Sequence, residues 1–371
     1  MKIEIFKMER MQSLWENVVD YNLSESGVHP LRLKDWLQPE ELEELAAVEI
    51  GYTQTNGTPP LRQNIARLYP GLDPEQIMVT AGSSEANFLL MWSLLEPGDE
   101  VVFELPNYMQ MWGLARSFGA RVKPLWLRPE LGWQPDLDDL RKLVNGNTKL
   151  IILTNPNNPT GSVLSRESRE EIIRQAEKVG AWLLVDEVYR GAERNGLETP
   201  SFWGSYDRVL VVAGLSKAYG LPGLRLGWLV GPLELVKKIW TYHDYTTISV
   251  SALTDHLATR VLEPDRRQKI LKRTRDILNS NLPLLEDWLN SFNGLFSYLP
   301  PQAGAILFAR YNLQVNSTQL VEKILKEKSV LLVPGDHFEL DQHLRFGYGS
   351  PQAYLKTALA RVAESLSVLK G

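Results

Sequence analysis

The sequence predicts an α/β fold with a doubly wound, mostly parallel sheet of seven strands and a smaller α+β domain. The first observation is that short β-rich runs alternate with helical patterns between about residues 77 and 231. The second is that most of these runs are apolar without alternation, which is typical of strands buried on both faces. The third is a change after about residue 255 to a long amphipathic stretch followed by scattered strands. A chain of 371 residues is long enough for such a protein.

The seven predicted strands follow one another along the chain. In order, they are QIMVTAG, EVVFELP, RVKPLWL, KLIILTN, AWLLVDEV, RVLVVAGL and LRLGWLVG. Helical patterns lie between them, for example over residues 165–180, where a serine precedes the helix and Gly180 ends it. We expect a large domain over residues 35–265 and a smaller domain formed by residues 1–34 together with residues 266–371.

The composition excludes several classes of function. The net charge is -5 and both signs are spread along the chain, so there is no basic stripe for nucleic acid. Because the chain has no cysteine, disulfides, thiolate metal sites and cysteine nucleophiles are excluded. The first residues lack the apolar core of a signal peptide, and no stretch reaches the roughly 18 uncharged apolar residues of a membrane-spanning helix. We expect a cytoplasmic protein without a metal site.

Polar residues follow five of the predicted strands at their carboxyl ends, the edge where open α/β sheets bind ligands. Each has an ordinary explanation by itself: a serine helix cap, a packed aromatic, a turn, a salt bridge or a solvated lysine. These residues are Gly82, Ser83, Ser84, Tyr108, Asn158, Asp186, Tyr189, Ser216 and Lys217, with Arg225 eight residues after the lysine.

Taken together, these residues match the groups of pyridoxal phosphate. Lys217 would bond to its aldehyde, and Asp186 would pair with its ring nitrogen. Proteins that bind this cofactor characteristically supply these two groups. The turn at residues 82–84 begins a helix, where backbone N–H groups and the helix dipole favour a phosphate. Arg225 adds a cation for the same phosphate. The sequence therefore predicts a pyridoxal phosphate site with Lys217 and Asp186 at its centre.

The remaining groups of the cofactor also find counterparts. Tyr108 would stack on the flat ring. Asn158, held in the restricted turn NPNNPTG, and Tyr189, three residues after the aspartate, would hold the phenolic oxygen. We expect Tyr189 to take part in catalysis and Asn158 to contact the substrate as well.

Three motifs resemble a known family. NPNNPTG, VDEVYRG and SKAYGLPGLRLGW, in this order and spacing, are similar to the class I/II aminotransferases of the aspartate aminotransferase fold, which is fold type I of the pyridoxal-phosphate-dependent transferases. The resemblance runs over essentially the whole chain, from GYTQTNGTPPLRQNIARLYPG to LRFGYG. Its specific parts are the spacing of the lysine to the arginine and the Asp-x-x-Tyr pattern.

The resemblance implies the same roles for the residues above, with Lys217 as the Schiff-base lysine, and it adds three more. Tyr52 looks like the tyrosine that reaches the phosphate of the neighbouring subunit, which implies a homodimer. Arg345 looks like the arginine that binds the substrate's α-carboxylate, and Gly27 like the N-terminal segment that covers it. From the residues alone, Arg345 could instead form a structural ion pair with a neighbour such as Asp341.

Two departures from the family pattern bear on function. Gly214 stands where many relatives have a serine or threonine, which removes or moves one phosphate contact. No arginine for a side-chain carboxylate is identified, so the resemblance does not establish specificity for aspartate. The leading hypothesis is an aminotransferase that moves an amino group between an amino acid and a 2-oxo acid. A lyase, cyclase or decarboxylase on the same fold, and a non-catalytic sensor of the cofactor, stay open.

Overall fold

The computed structural model describes residues 3–367, which form two main sheets and the helices around them. The strands are β1 (Tyr21–Asn22), β2 (Ile77–Thr80), β3 (Glu100–Leu105), β4 (Arg121–Arg128), β5 (Gln134–Pro135), β6 (Thr148–Thr154), β7 (Trp182–Asp186), β8 (Val209–Gly214), β9 (Gly227–Val230), β10 (Phe296–Tyr298), β11 (Ile306–Tyr311), β12 (Val330–Leu331), β13 (Val333–Pro334) and β14 (His343–Gly347). The helices are α1 (Lys7–Trp15), α2 (Pro39–Ala46), α3 (Pro59–Ala66), α4 (Ser83–Leu94), α5 (Gln110–Ser117), α6 (Leu137–Leu143), α7 (Arg166–Val179), α8 (Leu233–His243), α9 (Ala252–Val261), α10 (Pro264–Asn290), α11 (Ser317–Lys328) and α12 (Gln352–Ser367).

The large sheet contains all seven predicted strands, in the order β2-β9-β8-β7-β6-β3-β4. Strands β3, β4, β6, β7 and β8 pair in parallel, whereas β9 runs antiparallel to its neighbours β2 and β8. The prediction of a mostly parallel sheet is therefore confirmed. A further strand, β5, pairs antiparallel with β4 at the edge. The sequence does not predict β5 because two residues show no pattern, and Pro135, which lacks an N–H, suits an edge.

The pairing of β9 determines which residues meet at one edge of this sheet. Because β2 and β8 both run antiparallel to β9, their carboxyl ends lie at its amino end, where Gly227 pairs with Thr80 and with Gly214. Strands β6 and β7 run parallel to β8, so their carboxyl ends lie at the same edge. The segment between β8 and β9 turns back there, and it therefore places both Lys217 and Arg225 at the edge expected to bind a ligand.

Apolar clusters cover both faces of the large sheet. Along β8, Val211 belongs to one cluster and its neighbour Val212 to another, and both are fully buried. This two-sided burial explains why the strand shows no alternation in sequence. The covering helix α7 has the predicted ends: the Ser165 hydroxyl accepts a hydrogen bond from the N–H of Ser168 at 3.0 Å, and Gly180 follows the helix with φ 69°.

The smaller sheet is antiparallel, with the order β10-β11-β14-β13. The N-terminal segment joins this part of the chain, because Tyr21 of β1 pairs in parallel with Val330 of β12. In addition, the N–H of Gly347, at the end of β14, donates to the carbonyl of Leu23 at 2.7 Å. These contacts support the assignment of the first residues to the smaller domain, while the domain boundaries stay a prediction.

Membrane-spanning helices are not found in the part of the chain that the structure describes, since none of its helices is both long and apolar enough. The 27-residue helix α10 is long, but it carries charged residues throughout.

Candidate active site

A cavity of about 360 Å³ lies at the carboxyl edge of the large sheet and brings together most of the predicted site residues. Those that line it are Ser83, Ser84, Tyr108, Asn158, Asp186, Tyr189, Ser216, Lys217, Arg225 and Arg345. The lining also includes residues that the sequence did not predict: Met8, Glu9, Gln12, Glu16, Glu25, Ser26, Thr154, Val188 and Pro222.

Lys217 follows the end of β8 and projects its ammonium group towards the N-terminal segment. Its Nζ atom donates a hydrogen bond to Oε1 of Glu25 at 2.8 Å. Burial is the largest single influence and works to lower the pKa of Lys217, but the charge of Glu25, the neighbouring Tyr189 and the hydrogen bond to Glu25 together outweigh it, so the pKa is raised. For Glu25, burial is again the largest single influence and works to raise the pKa, but the charge and hydrogen bond of Lys217, the N–H of Gly27 and the charge of Arg345 together outweigh it, so the pKa falls to about 2. The two groups are therefore a mutually stabilised ion pair.

Asp186 is the last residue of β7, and only 4% of its surface is exposed. Burial raises the pKa of its carboxyl group to about 7, although the N–H of Val188 donates to Oδ1 at 3.0 Å and opposes the shift. A carboxylate in this position is costly unless a cation lies beside it. A protonated ring nitrogen is such a cation.

The residues expected to hold the phenolic oxygen have unused hydrogen-bonding groups. Oδ1 of Asn158 accepts a hydrogen bond from Arg345 at 2.8 Å, which leaves its amide nitrogen to donate to a ligand. The hydroxyl of Tyr189 is buried and makes no hydrogen bond of normal geometry within residues 3–367. Burial raises the pKa of Tyr189, so the group is a neutral donor at physiological pH. Two donors therefore remain available in the cavity.

Tyr108 follows β3, and its aromatic ring lines the cavity. The ring of Phe6 packs against its ring edge-on, with the centroids 5.0 Å apart. Its hydroxyl donates to Oε1 of Glu9 at 2.8 Å. Tyr108 is thus held by the N-terminal helix α1 on one side and lines the cavity on the other.

The turn after β2 forms a narrow cradle for an anion. Gly82 precedes α4 with φ +84°, and an added Cβ atom would lie 2.7 Å from a terminal nitrogen of Arg225. A Cβ atom at Gly227 would lie 2.3 Å from the backbone nitrogen of Ser83. Glycine at these two positions leaves room for an arginine and the N-terminus of a helix to converge, an arrangement that suits a phosphate.

The absence of a side chain at Gly214 has a steric reason. A Cβ atom there would lie 2.9 Å from the carbonyl oxygen of Leu226 and 3.2 Å from Cα of Gly227. Strands β8 and β9 approach too closely for serine or threonine, so the phosphate cradle does without that hydroxyl.

Arg345 lies in β14 and is buried, with 1% of its surface exposed. Its terminal nitrogens donate to Oδ1 of Asn158 at 2.8 Å and to the carbonyl of Ser24 at 2.5 Å, and its Nε has no partner within residues 3–367. Asp341 instead accepts hydrogen bonds from the N–H groups of Ser317 and Gln342, so the alternative of an ion pair with Arg345 is wrong. A buried cation without a carboxylate partner calls for an anionic ligand.

Gly27 and Tyr52 lie outside the lining of the cavity. The N–H of Gly27 donates to Oε1 of Glu25 at 2.9 Å, and an added Cβ atom would lie 3.3 Å from the carbonyl of Ser216. Gly27 thus packs against the backbone of Ser216 and Lys217, just after the end of β8. Tyr52 is 87% exposed and does not reach the cavity of its own chain.

The cavity residues that the sequence analysis missed come mainly from the N-terminal segment. Glu9 and Gln12 lie on α1 and Glu16 follows it, at spacings that place side chains on one helix face. This helical spacing is the one feature of the sequence that could have grouped these three residues. Nothing in the sequence connects Glu25 with Lys217, which is 192 residues away.

These features fit pyridoxal phosphate at each point where the structure can test it. There is a lysine at a strand end, a buried carboxyl group that needs a cation, a buried phenol without a hydrogen bond of normal geometry within residues 3–367, and a glycine turn beside an arginine where a phosphate would fit. The fold and the site thus define an enzyme that depends on pyridoxal phosphate. More specifically, the chain belongs to the family "Aminotransferase class I and II", which it matches over residues 22–362.

Individual relatives agree with this assignment. The chain is 36% identical to capreomycidine synthase from Streptomyces vinaceus over 355 residues, covering 93% of this chain and 89% of that protein. It is 29% identical to the aspartate/prephenate aminotransferase of Thermus thermophilus over 351 residues, covering 90% and 89% of the two chains. The crystal structure of a PLP-dependent aminotransferase from Streptococcus suis superimposes with a TM-score of 0.93 at 35% identity, covering 100% of this chain and 99% of that chain.

Proposed function

We propose that Lys217, Asp186 and Arg345 together carry the transfer of an amino group from an L-amino acid to a 2-oxo acid. The observation that supports this most directly is the buried Arg345, which forms no ion pair with a carboxylate within residues 3–367 and shares one cavity with Lys217 and Asp186. Its planar guanidinium would bind the α-carboxylate of the substrate through two parallel hydrogen bonds. The substrate Cα would then face Lys217.

Asp186 and Lys217 would have different roles around the cofactor. When bound, pyridoxal phosphate supplies an aldehyde that takes up the amino group and a protonated ring that withdraws electrons from the substrate Cα. Asp186 would hold the proton on the ring nitrogen, because its own burial favours a cationic partner. Once the substrate's amino group has displaced Lys217 from the aldehyde carbon, the freed Nζ atom would remove the proton from the substrate Cα as a general base.

The other lining residues would bind and orient. Asn158 and Tyr189 would donate to the phenolic oxygen, and Tyr108 would stack on the ring. The phosphate would lie between the turn at residues 82–84, Ser216 and Arg225. Gly27 would cover the substrate from the N-terminal side.

The test is a transfer assay on the purified protein loaded with pyridoxal phosphate. A panel of L-amino acids is paired with 2-oxo acids, and mass spectrometry follows both products. We expect one new oxo acid and one new amino acid in equal amounts. Ammonia, carbon dioxide or a cyclised product in their place would assign the enzyme to elimination, decarboxylation or cyclisation. Cofactor binding without any product would indicate a sensor.

We also propose that the protein works as a homodimer in which Tyr52 of one protomer reaches the phosphate of the other. The support is that Ile50, Tyr52 and Tyr245 are exposed by 81%, 87% and 81%, an unusual exposure for such large apolar side chains. Sedimentation at assay concentration tests the assembly. A fully active monomer would rule it out.

We further propose that the enzyme acts in the cytoplasm on small molecules, without nucleic acid or a membrane as partner. The absence of cysteine and the net charge of -5 support this.

A further inference from the structure

This inference rests on the proposed function. When the charged residues that would bind the cofactor and the substrate's α-carboxylate are set aside, the remaining charged residues that line the cavity are all acidic. The cations are Lys217, Arg225 and Arg345, and the anions are Asp186, Glu9, Glu16 and Glu25. The cofactor and the substrate's α-carboxylate engage all three cations and Asp186. Three glutamates on the N-terminal side remain without a role.

Within residues 3–367, none of the three glutamates forms an ion pair that would persist in the loaded enzyme. Glu25 pairs with Lys217, but a lysine bonded to the cofactor no longer offers an ammonium group. Glu9 accepts one hydrogen bond, from the neutral hydroxyl of Tyr108. Glu16 forms no hydrogen bond or ion pair through its carboxylate within residues 3–367, and burial followed by the charges of Glu25 and Glu9 raises its pKa.

An ordinary solvated surface does not account for this arrangement. Glu4, on the same N-terminal segment, lies outside the cavity and has Arg116 at 3.5 Å. The three cavity glutamates instead line one half-buried space, where burial and then the charges of Glu25 and Glu9 raise the pKa of Glu16, and a cation bound there would relieve this repulsion. In the described part of the chain, no group of three acidic or histidine side chains is placed to hold a metal ion. An organic cation fits better.

Two further atoms indicate that the cavity is built for a ligand next to these acids. The hydroxyl of Tyr189 and Nε of Arg345 are buried, with their residues 2% and 1% exposed, and both lack a normal hydrogen-bond partner within residues 3–367. Arg345 also lies close enough to Glu25 and Glu9 to feel their charges. The α-carboxylate site and the acidic group are thus two ends of one space.

We propose that the amino acid substrate carries a cationic side chain, an amine or a guanidinium, and that Glu9, Glu16 and Glu25 bind that cation. A substrate such as aspartate is disfavoured, because its side-chain carboxylate would meet three carboxylates and no unused arginine lines the cavity. A charge-assisted contact inside a partly buried cavity accounts for a preference of roughly 10- to 100-fold over a neutral side chain of equal length.

The experiment compares L-arginine, L-lysine and L-ornithine with L-norleucine and L-aspartate as amino donors for the loaded enzyme. We expect kcat/KM for the cationic donors to exceed that for norleucine roughly 10- to 100-fold, with aspartate below both. In Glu16→Gln and Glu9→Gln, the ratio of arginine to norleucine should fall, while the matched control Glu4→Gln should keep it. A wild-type enzyme that uses norleucine or aspartate as well as arginine overturns the proposal and leaves the aminotransferase function intact.

A binding measurement separates this proposal from the proposed function. By calorimetry, 5-guanidinopentanoate, which cannot react because it lacks an α-amino group, should bind the loaded wild-type enzyme at least about tenfold more tightly than heptanoate. This result supports the acidic subsite even if no donor is turned over, in which case the aminotransferase function alone fails. Equal affinity for the two compounds overturns the proposal.

Discussion

The guanidinium of Arg345 donates to Oδ1 of Asn158 at 2.8 Å, across 187 residues of sequence. The bond connects the strand that would bind the substrate's α-carboxylate with the turn that would hold the cofactor's phenolic oxygen. One amide side chain therefore orients groups for both, since its oxygen accepts from the arginine while its nitrogen remains a donor. The bond gives Asn158 a single amide orientation.

Arg345→Lys should lower kcat/KM for an amino acid substrate by roughly 100-fold, because lysine keeps the charge but cannot form two parallel hydrogen bonds. The visible absorption band of the bound cofactor should persist. An amine without a carboxylate should lose far less activity. The matched control is Arg310→Lys, at an exposed position of the neighbouring strand β11. Equal losses for both substrates would remove Arg345 from the site.

Lys217→Ala should abolish the visible band of covalently bound cofactor and reduce transfer roughly 1000-fold, because the chain loses its general base at Cα. Lys237→Ala is the control, since Lys237 is an exposed lysine of α8 that pairs with Glu234 at 2.9 Å. Absorption spectra and borohydride reduction followed by peptide mapping check the result. Labelling of a different lysine would show that the assignment is wrong.

Asp186→Asn should change how the stability of the cofactor-free protein depends on pH. Burial raises the pKa of Asp186 to about 7 from an ordinary value of 3.8. Between these values the folded chain keeps a proton that the unfolded chain has released, so stability falls as pH rises from about 4 to about 7. In the variant, the slope of the free energy of unfolding against pH should be smaller by up to about 1.4 kcal/mol per pH unit, as measured by urea unfolding at several pH values.

A second buried acid prevents the slope from vanishing altogether. Burial raises the pKa of Glu104 to about 8, which adds a slope of the same sign. Identical slopes for wild type and Asp186→Asn would contradict the assignment of the raised pKa to Asp186. In the loaded enzyme, the same variant should keep the fold and lose most of its turnover.

Gly82→Ala should weaken binding of pyridoxal phosphate at least about tenfold, because the new methyl group would displace Arg225 from the cradle. Gly98→Ala is a close control: Gly98 also has a positive φ, +95°, but nothing lies within 4 Å of an added Cβ atom. Both variants carry comparable backbone strain. Titration of the cofactor by absorbance should therefore distinguish them, and equal affinities would show that the cradle does not hold the phosphate.

The strands and the strand ends were predictable because their signals are local. A run such as RVLVVAGL shows its two-sided burial in its own composition, and Ser216 and Lys217 follow it directly. Parallel pairing then brings such ends together. Strand β5 was missed because two residues carry no periodicity.

The acidic side of the cavity was not predictable in the same way. Glu9 and Glu16 have helical spacing, but spacing does not say which surface a helix contacts. The position of α1 depends on distant partners, such as Tyr108 for Glu9. For Asp341, closeness in sequence was misleading. It lies four residues from Arg345, which suggested an ion pair, yet its carboxylate accepts a hydrogen bond from the N–H of Ser317 instead.

The N-terminal segment and β14 are hydrogen-bonded into one unit. Arg345 donates to the carbonyl of Ser24, Gly347 donates to the carbonyl of Leu23, and the Gln12 side chain of α1 donates to the Ser24 hydroxyl at 3.0 Å. If the smaller sheet shifts relative to the large one, the arginine and the neighbouring glutamates move with it together. If these residues bind the two ends of the substrate as proposed, the distance between those ends would stay constant, and the length of an accepted amino acid would be selected independently of how closely it approaches Lys217.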